Sequence, residues 1–210
     1  MSSLAGATGI LGGTFDPVHR GHVAVAIECL DRLDLSEVRM IPASRPPHRE
    51  PPRAAAQDRL AMAQLAVAGH AGLLTDDVEV RRGGVSYTVD TLEQLRASGL
   101  DRLVLLVGRD AAVEMGSWHR AAEIAGLAEV VVFNRTGVAV SPDQPLPLAA
   151  RVIEVDSPDV SATRIRESLE AGGDADDMLP ASVLEYIRQH GLYNPAKGPS
   201  PERAVIIRPQ

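Results

Sequence analysis

The stretch Gly12-Gly13-Thr14-Phe15-Asp16-Pro17-Val18-His19-Arg20-Gly21-His22 decides the fold of this chain. An apolar run over 7–12 leads into it and is typical of a short buried strand. Residues 23–33 follow it, with apolar side chains at the spacing of a helix. A strand, a glycine-containing turn and a helix in this order indicate the opening unit of an α/β sheet.

Apolar strands and amphipathic helices continue to alternate along the rest of the chain. The pattern predicts further strands at 38–42, 73–81, 103–108, 129–133 and 151–155. It predicts further helices at 54–68, 87–98, 121–127, 162–171 and 181–190. Because most of the strands are apolar throughout, we predict an α/β fold with a Rossmann-like, doubly wound parallel sheet and C-terminal helices. We expect one domain over 1–193 and a mobile tail over 194–210.

Composition and charge exclude several classes of protein. The net charge of −7 argues against a protein that binds nucleic acid through a basic face. The single cysteine, Cys29, excludes an intrachain disulfide and a multi-cysteine zinc site, which fits a reducing cytoplasm. No apolar run approaches the ~18 residues of a membrane span. Aromatic residues make up only 3% of the chain, so we expect an aliphatic core.

The residue types of the opening turn suit a phosphate ligand. Gly12 and Gly13 lack side chains, so a phosphate can approach their backbone, and they permit positive φ angles. His19 and His22 lie at the amino end of the following helix, where the helix dipole and free N–H groups favour an anion. Two imidazoles at this place can donate hydrogen bonds to a phosphate whose charge grows in a transition state.

The glycines Gly6, Gly9 and Gly12 also have the spacing of a dinucleotide-binding fingerprint. That fingerprint needs a strand before its first glycine and a helix that runs through its third. Here only five residues precede Gly6, and Pro17 stands where the helix would run. The sequence therefore favours a position for Gly9 within the first strand, and it disfavours a dehydrogenase.

A second phosphate-binding element is predicted at residues 160–166. Ser161 suits the N-cap of the helix that begins at Ala162. Thr163 offers a hydroxyl, and the guanidinium of Arg166 can donate to two phosphate oxygens at once. Arg164 is expected to face solvent.

Together these two elements resemble the nucleotidyltransferase superfamily of α/β adenylyl- and cytidylyltransferases. The first element contains the H-x-G-H core of that superfamily. The second is similar to its I-S-S-T-x-I-R box, but it has Ala162 where the box has a serine. The resemblance implies that His19, His22 and Arg166 are catalytic. It implies that ATP contacts residues at the carboxyl ends of the strands and at the starts of helices: Gly12, Gly13, Thr14, Phe15, Gly21, Gly108, Asp110, Ser161 and Thr163.

Further segments are similar to one family of that superfamily, the bacterial nicotinate-mononucleotide adenylyltransferases, and the similarity extends to residue 193. Pro46-Pro47-His48-Arg49 matches a loop that contacts the acceptor's phosphate. Ser86-Tyr87-Thr88 matches a segment whose backbone amides meet the nicotinate carboxylate. In Gly108-Arg109-Asp110 the carboxylate can accept hydrogen bonds from ribose hydroxyls. Trp118 matches a ring that stacks on the pyridine, and its polar neighbours in the sequence make it a poor core residue.

The resemblance implies transfer of AMP from ATP to nicotinate mononucleotide, with release of pyrophosphate, in NAD biosynthesis. The attacking phosphate is an anion at pH 7, so no general base is required. Mg²⁺ is expected to arrive with ATP and to be held by phosphates and water. No metal-binding residue is predicted, because Asp16 is a lone carboxylate. The expected partners are ATP and nicotinate mononucleotide, in the cytoplasm, without nucleic acid or a membrane.

Two alternatives stay open, and the oligomeric state is open as well. The acceptor could be nicotinamide mononucleotide or another phosphate, because the choice between acid and amide can depend on backbone geometry. The chain could also be a nucleotide sensor without catalysis, although His19, His22 and Arg166 together exceed what binding needs. We expect these three residues, with His48 and Arg49, to form a local basic pocket on an acidic protein.

Overall fold

The structure is a computed structural model that describes residues 3–47, 50–136, 146 and 150–194. Within these ranges six strands form one parallel sheet in the order β3-β2-β1-β4-β5-β6. The strands are β1 Thr8–Gly13, β2 Glu37–Pro42, β3 Leu73–Thr75, β4 Leu103–Gly108, β5 Glu129–Arg135 and β6 Arg151–Val155. This order is that of a doubly wound, Rossmann-like sheet, so the predicted fold class is confirmed.

Helices follow most of the strands and cover the sheet. The longer ones are α1 Arg20–Arg32, α2 Ala56–Val67, α4 Thr88–Ala97, α7 Ala162–Glu170 and α8 Ala181–His190. Three shorter helices, α3 Val78–Arg82, α5 Arg109–Val113 and α6 Ala121–Leu127, and the 3₁₀ turn Met115–Ser117 complete the described elements. Most predicted elements agree with these bounds to within about three residues, the usual uncertainty of helix and strand ends.

Successive residues of each strand enter two separate cores, one on each face of the sheet. In β1, Leu11 packs into the core formed with α1, α2, α7 and α8, and Ile10 into the core formed with α3 to α6. The buried rings of Phe15, Phe133 and Tyr193 belong to the first core. Most other members of both cores are aliphatic, as the low aromatic content predicts.

The direction of strand addition reverses between β1 and β4. The chain passes from β1 to β2 and β3, then returns to place β4 on the other side of β1. Open α/β sheets bind ligands at such a switch point, beyond the carboxyl ends of the strands. Gly13 ends β1 and Gly108 ends β4, so both glycines lie at this edge. Gly9 lies within β1, as expected.

The strand predicted over 73–81 is wrong beyond residue 75. After β3 the carboxylate of Asp76 accepts a hydrogen bond from the Val78 N–H at 3.0 Å, and the chain turns into α3. Apolar Val78 and Val80 flank Glu79, which imitates the alternation of a strand, but all three side chains are buried. A helix of five residues is too short to show its own period, and α5 is missed for the same reason.

Some sequence predictions fall on other parts of the chain. Of the tail predicted over 194–210, the structure describes Asn194, and the remaining residues lie outside the described ranges. His48 and Arg49 lie outside them as well. No helix in the described ranges has both the length and the apolar character needed to cross a bilayer.

Candidate active site

The two glycines at the end of β1 differ in the space around them, and neither has a positive φ. A Cβ atom on Gly12 would meet nothing within 4 Å, so this backbone faces open space at the edge of the sheet. A Cβ atom on Gly13 would lie 2.8 Å from the ring of Phe15. The expectation that the glycines supply positive φ is wrong, because the residue with positive φ in this turn is Phe15 (φ 50).

Phe15 supports the turn from behind. Its side chain is buried, with the ring under Gly13 and edge-on to His22 at a centroid distance of 5.0 Å. A nucleotide at this edge can therefore reach the backbone of Phe15 but not its ring. Phe15 therefore shapes the turn from within the core.

His19 and His22 form a stacked pair at the start of α1. Their ring centroids are 3.7 Å apart, with an angle of 23° between the planes. The backbone N–H of His19 donates to Nδ1 of His22 at 3.3 Å. An Nδ1 that accepts a hydrogen bond carries no proton, so the neutral His22 ring has its proton on Nε2. Nε2–H is then the donor that His22 can offer to a ligand.

Both histidines are neutral at pH 7 in the free protein. Burial, assisted by the positive charge of Arg135, lowers the pKa of His19 to about 4. Burial is also the main reason that the pKa of His22 lies well below its usual value of 6.5, and His19 and Arg135 lower it further. His19 and His22 therefore add no positive charge to the expected basic pocket, and within the described residues that charge comes from arginines.

Gly21, between the two histidines, allows close packing. A Cβ atom there would lie 3.1 Å from Nδ1 of His19 and 3.3 Å from the carbonyl oxygen of Pro158. Pro158 belongs to the segment between β6 and α7, so that segment packs directly against the start of α1. Within the described residues, Nδ1 of His19 is buried without a hydrogen-bond partner.

Asp16 is a structural carboxylate. Its oxygens accept hydrogen bonds from the backbone N–H groups of Arg53 (2.8 Å) and Ala54 (3.0 Å). The Tyr193 hydroxyl donates to the same carboxylate at 2.7 Å. Burial, together with this acidic partner, holds the pKa of Tyr193 well above its usual value. Three donors therefore hold the buried Asp16 carboxylate and tie the turn to the residues before α2 and to Tyr193.

The start of α7 faces the turn after β1. Ser161 caps this helix by accepting from the Arg164 N–H at 3.2 Å, as predicted. Arg166 donates to the backbone oxygen of Asp16 at 2.7 Å and to the Thr163 hydroxyl at 3.2 Å, which joins the two predicted phosphate elements. Arg164 is exposed, as expected.

The acceptor segment Ser86-Tyr87-Thr88 leads into α4 and is bound to the loop after β2. The Ser44 N–H donates to the Ser86 hydroxyl, and the Ser86 N–H donates to the Arg45 carbonyl oxygen, each at 2.9 Å. Ala43 N–H in turn donates to the Gly13 oxygen at 2.8 Å. The loops after β1 and β2 and the amino end of α4 therefore meet at the same edge.

Trp118 lies beside this segment. Both Trp118 and Tyr87 are partly buried and pack against the second core, and the rings of Tyr87 and His119 approach with centroids 4.3 Å apart. The expectation that Trp118 stays out of the core is thus only partly correct. Asp110 is exposed in the first turn of α5, directly after Gly108.

Comparison with known proteins agrees with this geometry. The profile of the Cytidylyltransferase-like family matches residues 10–168. The chain belongs to this family. A relative from Pseudomonas fluorescens (strain Pf-5), named "Probable nicotinate-nucleotide adenylyltransferase", is 42% identical over 205 residues, 88% of this chain and 96% of the relative. A relative of the same name from Pseudomonas syringae pv. tomato is 43% identical over 213 residues, 92% of this chain and 96% of the relative.

Within the family, the chain is a member of the nicotinate-nucleotide adenylyltransferases, so the predicted resemblance is confirmed. Two solved structures of Plasmodium falciparum nicotinic acid mononucleotide adenylyltransferase, complexed with NaAD and with APC, share its fold. They match with TM-scores of 0.69 at 16% and 15% identity, over 90% of this chain and 97% of each structure. At this identity the likeness supports the fold alone.

Sequence reasoning missed two arginines of this family member's site. Arg135, at the carboxyl end of β5, is close enough to lower the pKa of both histidines. The rule that ligands bind beyond the strand ends could have found it. Arg59, in α2, donates to the oxygen of Thr14 in the turn after β1. No local pattern marks an arginine in a helix as buried, so only the packing of the whole chain finds it.

The described residues offer no protein cage for a metal ion. In residues 3–47, 50–136, 146 and 150–194, no group of three or more His, Cys, Asp or Glu side chains is placed to hold one. The site instead offers hydrogen-bond donors: imidazole N–H, guanidinium and backbone amides at the starts of α1, α4 and α7. Such a set suits anionic ligands.

Proposed function

We propose that this chain transfers AMP from ATP to nicotinate mononucleotide, in NAD biosynthesis in the cytoplasm. An oxygen of the acceptor's 5′-phosphate attacks the α-phosphorus of ATP. As the new P–O bond forms, the bond between the α-phosphorus and the bridging oxygen breaks, and its electron pair leaves with pyrophosphate. The product is nicotinate adenine dinucleotide. The observation that carries this proposal is the pair of neutral, stacked histidines, with a defined donor on His22, at the switch point of the sheet.

His19 and His22 hold the α-phosphate in this reaction. A neutral imidazole donates one hydrogen bond, and its donation strengthens as negative charge grows on the phosphate oxygens in the transition state. The buried rings reorganise little, because the backbone of His19 and the edge of Phe15 already hold His22. The exposed edge of Gly12 and the close packing at Gly21 let phosphate approach the backbone.

The remaining phosphates of ATP lie at the start of α7. Arg166 supplies a permanent positive charge, and Ser161 and Thr163 lie in the first turn of the helix, whose N–H groups favour an anion. Gly13, Thr14 and Phe15 contact ATP through their backbone. Beyond Gly108, the exposed carboxylate of Asp110 accepts hydrogen bonds from the ribose.

Nicotinate mononucleotide occupies the side of the crevice near α4. The N–H groups of Tyr87 and Thr88 at the start of this helix meet the nicotinate carboxylate, while the Ser86 N–H is bound to the Arg45 oxygen and holds the segment in place. Trp118 stacks on the pyridine ring, and His48 with Arg49 contacts the acceptor's phosphate. This arrangement favours an acid over an amide at the pyridine, because helix N-termini attract negative charge.

Catalysis comes from positioning and charge stabilisation. The acceptor phosphate is already an anion, so no side chain has to remove a proton. Mg²⁺, when bound with ATP, neutralises phosphate charge and is held by phosphate oxygens and water, which is the habit of this ion.

A coupled assay for pyrophosphate tests the proposal. The protein is supplied with ATP and, in separate reactions, with nicotinate mononucleotide, nicotinamide mononucleotide and a simple phosphate monoester. We expect turnover with the first acceptor and a higher kcat/KM for it than for the amide. Preference for the amide would overturn the substrate assignment. Binding of ATP without turnover on any acceptor would favour the nucleotide sensor.

A further inference from the structure

Arg59 carries a buried positive charge beneath the candidate site. Its side chain in α2 is 1% exposed. The guanidinium donates from Nη1 to the Thr14 oxygen at 2.7 Å, from Nη2 to the Ser44 oxygen at 2.9 Å, and from Nε to the Ala54 oxygen at 3.2 Å. One planar group thereby joins the turn after β1 to the loop after β2 and to the residues before its own helix.

The acceptors of this buried cation are neutral carbonyl oxygens and not a carboxylate. Moving a charge out of water is costly unless hydrogen bonds and nearby charges compensate for it. Burial lowers the pKa of Arg59, and the negative charge of Asp16 opposes that shift. The bonds to Thr14 and Ser44 are charge-assisted and short, and both acceptors belong to loops of the site.

The hydrogen-bond chain continues from Ser44 into the acceptor segment. The Ser44 N–H donates to the Ser86 hydroxyl at 2.9 Å, and that hydroxyl donates to the carboxylate of Glu79. The Thr91 hydroxyl, in α4, donates to the same carboxylate at 2.7 Å. Burial raises the pKa of Glu79, which these two hydroxyl donors oppose. A continuous path therefore connects Thr14, at the ATP loop, with the helix that begins the acceptor site.

We propose that Arg59 is a positioning residue that fixes the ATP loop and the acceptor segment relative to each other, so that the two substrates meet in line. It touches neither substrate. The inference rests on the proposed function, because in-line transfer is what requires this relative position of the two loops. A guanidinium suits the task because its donors point in several fixed directions, whereas the single ammonium of lysine cannot span carbonyls of two loops with the same geometry.

The first test is kinetic and uses the full chain. Arg59→Lys keeps the positive charge and removes the planar set of donors, and Arg59→Met removes both. Met62→Ala, one turn further along α2 and equally buried, is the matched control for destabilisation of this helix. The folded fraction of each variant is measured, so that kcat can be expressed per folded molecule.

We expect Arg59→Lys to lower kcat per folded molecule by about 10- to 100-fold, because misplacement of reacting groups by about 1 Å costs this much. The Kd of each substrate alone should change little, because each loop keeps its own contacts. Met62→Ala should lower the folded fraction and leave kcat per folded molecule unchanged. A folded Arg59→Lys variant with the wild-type kcat would overturn the inference.

The second test does not depend on turnover. Amide hydrogen exchange reports the Ser44 and Ser86 N–H groups, which lie on the path from Arg59. In Arg59→Lys we expect both amides, and those of residues 13–16, to exchange at least several-fold faster than in Met62→Ala. Faster exchange in α2 alone would contradict the positioning role. Wild-type protein without turnover on any acceptor would refute the proposed function, and this exchange pattern would still decide whether Arg59 joins the loops.

Discussion

The rings of His19 and His22 stack 3.7 Å apart while the backbone N–H of His19 donates to Nδ1 of His22. The stack and the hydrogen bond together fix which nitrogen of His22 carries the proton. A doubly protonated His22 could not accept this bond. If both rings were protonated, their positive charges would repel each other at so short a distance. The pair therefore acts as a preorganised set of neutral donors.

Removal of the His22 ring should affect catalysis far more than folding. We expect His22→Ala to lower kcat by about 10²- to 10³-fold, the usual cost of losing one preorganised donor in a transition state. Steady-state kinetics and urea unfolding of the same preparation measure the two effects. His70→Ala, at an exposed histidine outside the site, is the control. A His22→Ala variant that keeps most of its kcat would contradict the role of His22.

The buried histidines should make the protein less stable in acid. The pKa of His19 is about 4 in the folded protein and about 6.5 in the unfolded chain, so the unfolded chain binds more protons between these values. The free energy of unfolding should therefore fall as the pH drops from 6.5 to 4, by on the order of 3 kcal/mol from this residue. Urea unfolding across this range measures it.

The variant His19→Gln isolates that contribution, because glutamine does not titrate. Its stability at pH 7 is expected to be lower than that of the wild type, but its loss between pH 6.5 and 4 should be smaller. The carboxylates are the same in both proteins, so the difference between the two curves reports the titration of His19 together with its effect on the pKa of His22. Parallel curves would show that His19 titrates normally in the folded protein.

Gly12 and Gly13 should respond differently to the same substitution. Gly13→Ala would place a Cβ atom 2.8 Å from the Phe15 ring, which we expect to cost about 1–3 kcal/mol of stability. Gly12→Ala has open space, so its stability should stay near that of the wild type while the KM for ATP rises. Thermal unfolding and ATP titrations compare the pair. Equal destabilisation of both variants would contradict the assigned packing.

Arg166 and Arg164 provide a matched pair on one helix. Arg166→Lys loses the planar donor set that reaches Asp16 and Thr163, and we expect kcat/KM for ATP to fall by about 10- to 100-fold, as for loss of a hydrogen bond to a charged group. Arg164→Lys, at an exposed position, should leave kcat/KM unchanged. Similar losses in both variants would point to general charge attraction and not to a specific contact.

The sequence predicts much of this fold because its local patterns agree with its packing. The stretch from Gly12 to His22 lies between a strand and a helix whose periods are clear, and the structure has both. The helix α3 is missed because its buried Glu79 imitates an exposed position of a strand. The partners of its buried carboxylate are Ser86 and Thr91, which no pattern around residue 79 reveals.

The predicted phosphate residues gather at one edge, whereas their supports are not visible in the sequence. A sequence motif marks positions that need one type of side chain. His22 and Arg166 occupy such positions, so the sequence predicts both. Arg59 contacts Thr14, and Tyr193 contacts Asp16. Both contacts join residues that are far apart in the sequence. The backbone conformation is misjudged at Gly13 for a related reason: which residue takes positive φ depends on how Phe15 packs.

The bond between Tyr193 and Asp16 joins residues that are 177 positions apart. During synthesis, Asp16 and every predicted phosphate-binding residue are made before Tyr193. A chain released before residue 193 therefore carries the complete set of reactive side chains, yet it lacks the hydroxyl that completes the hydrogen bonding of the Asp16 carboxylate. The turn that holds the predicted phosphate-binding residues therefore gains this hydrogen bond only in molecules translated at least to residue 193.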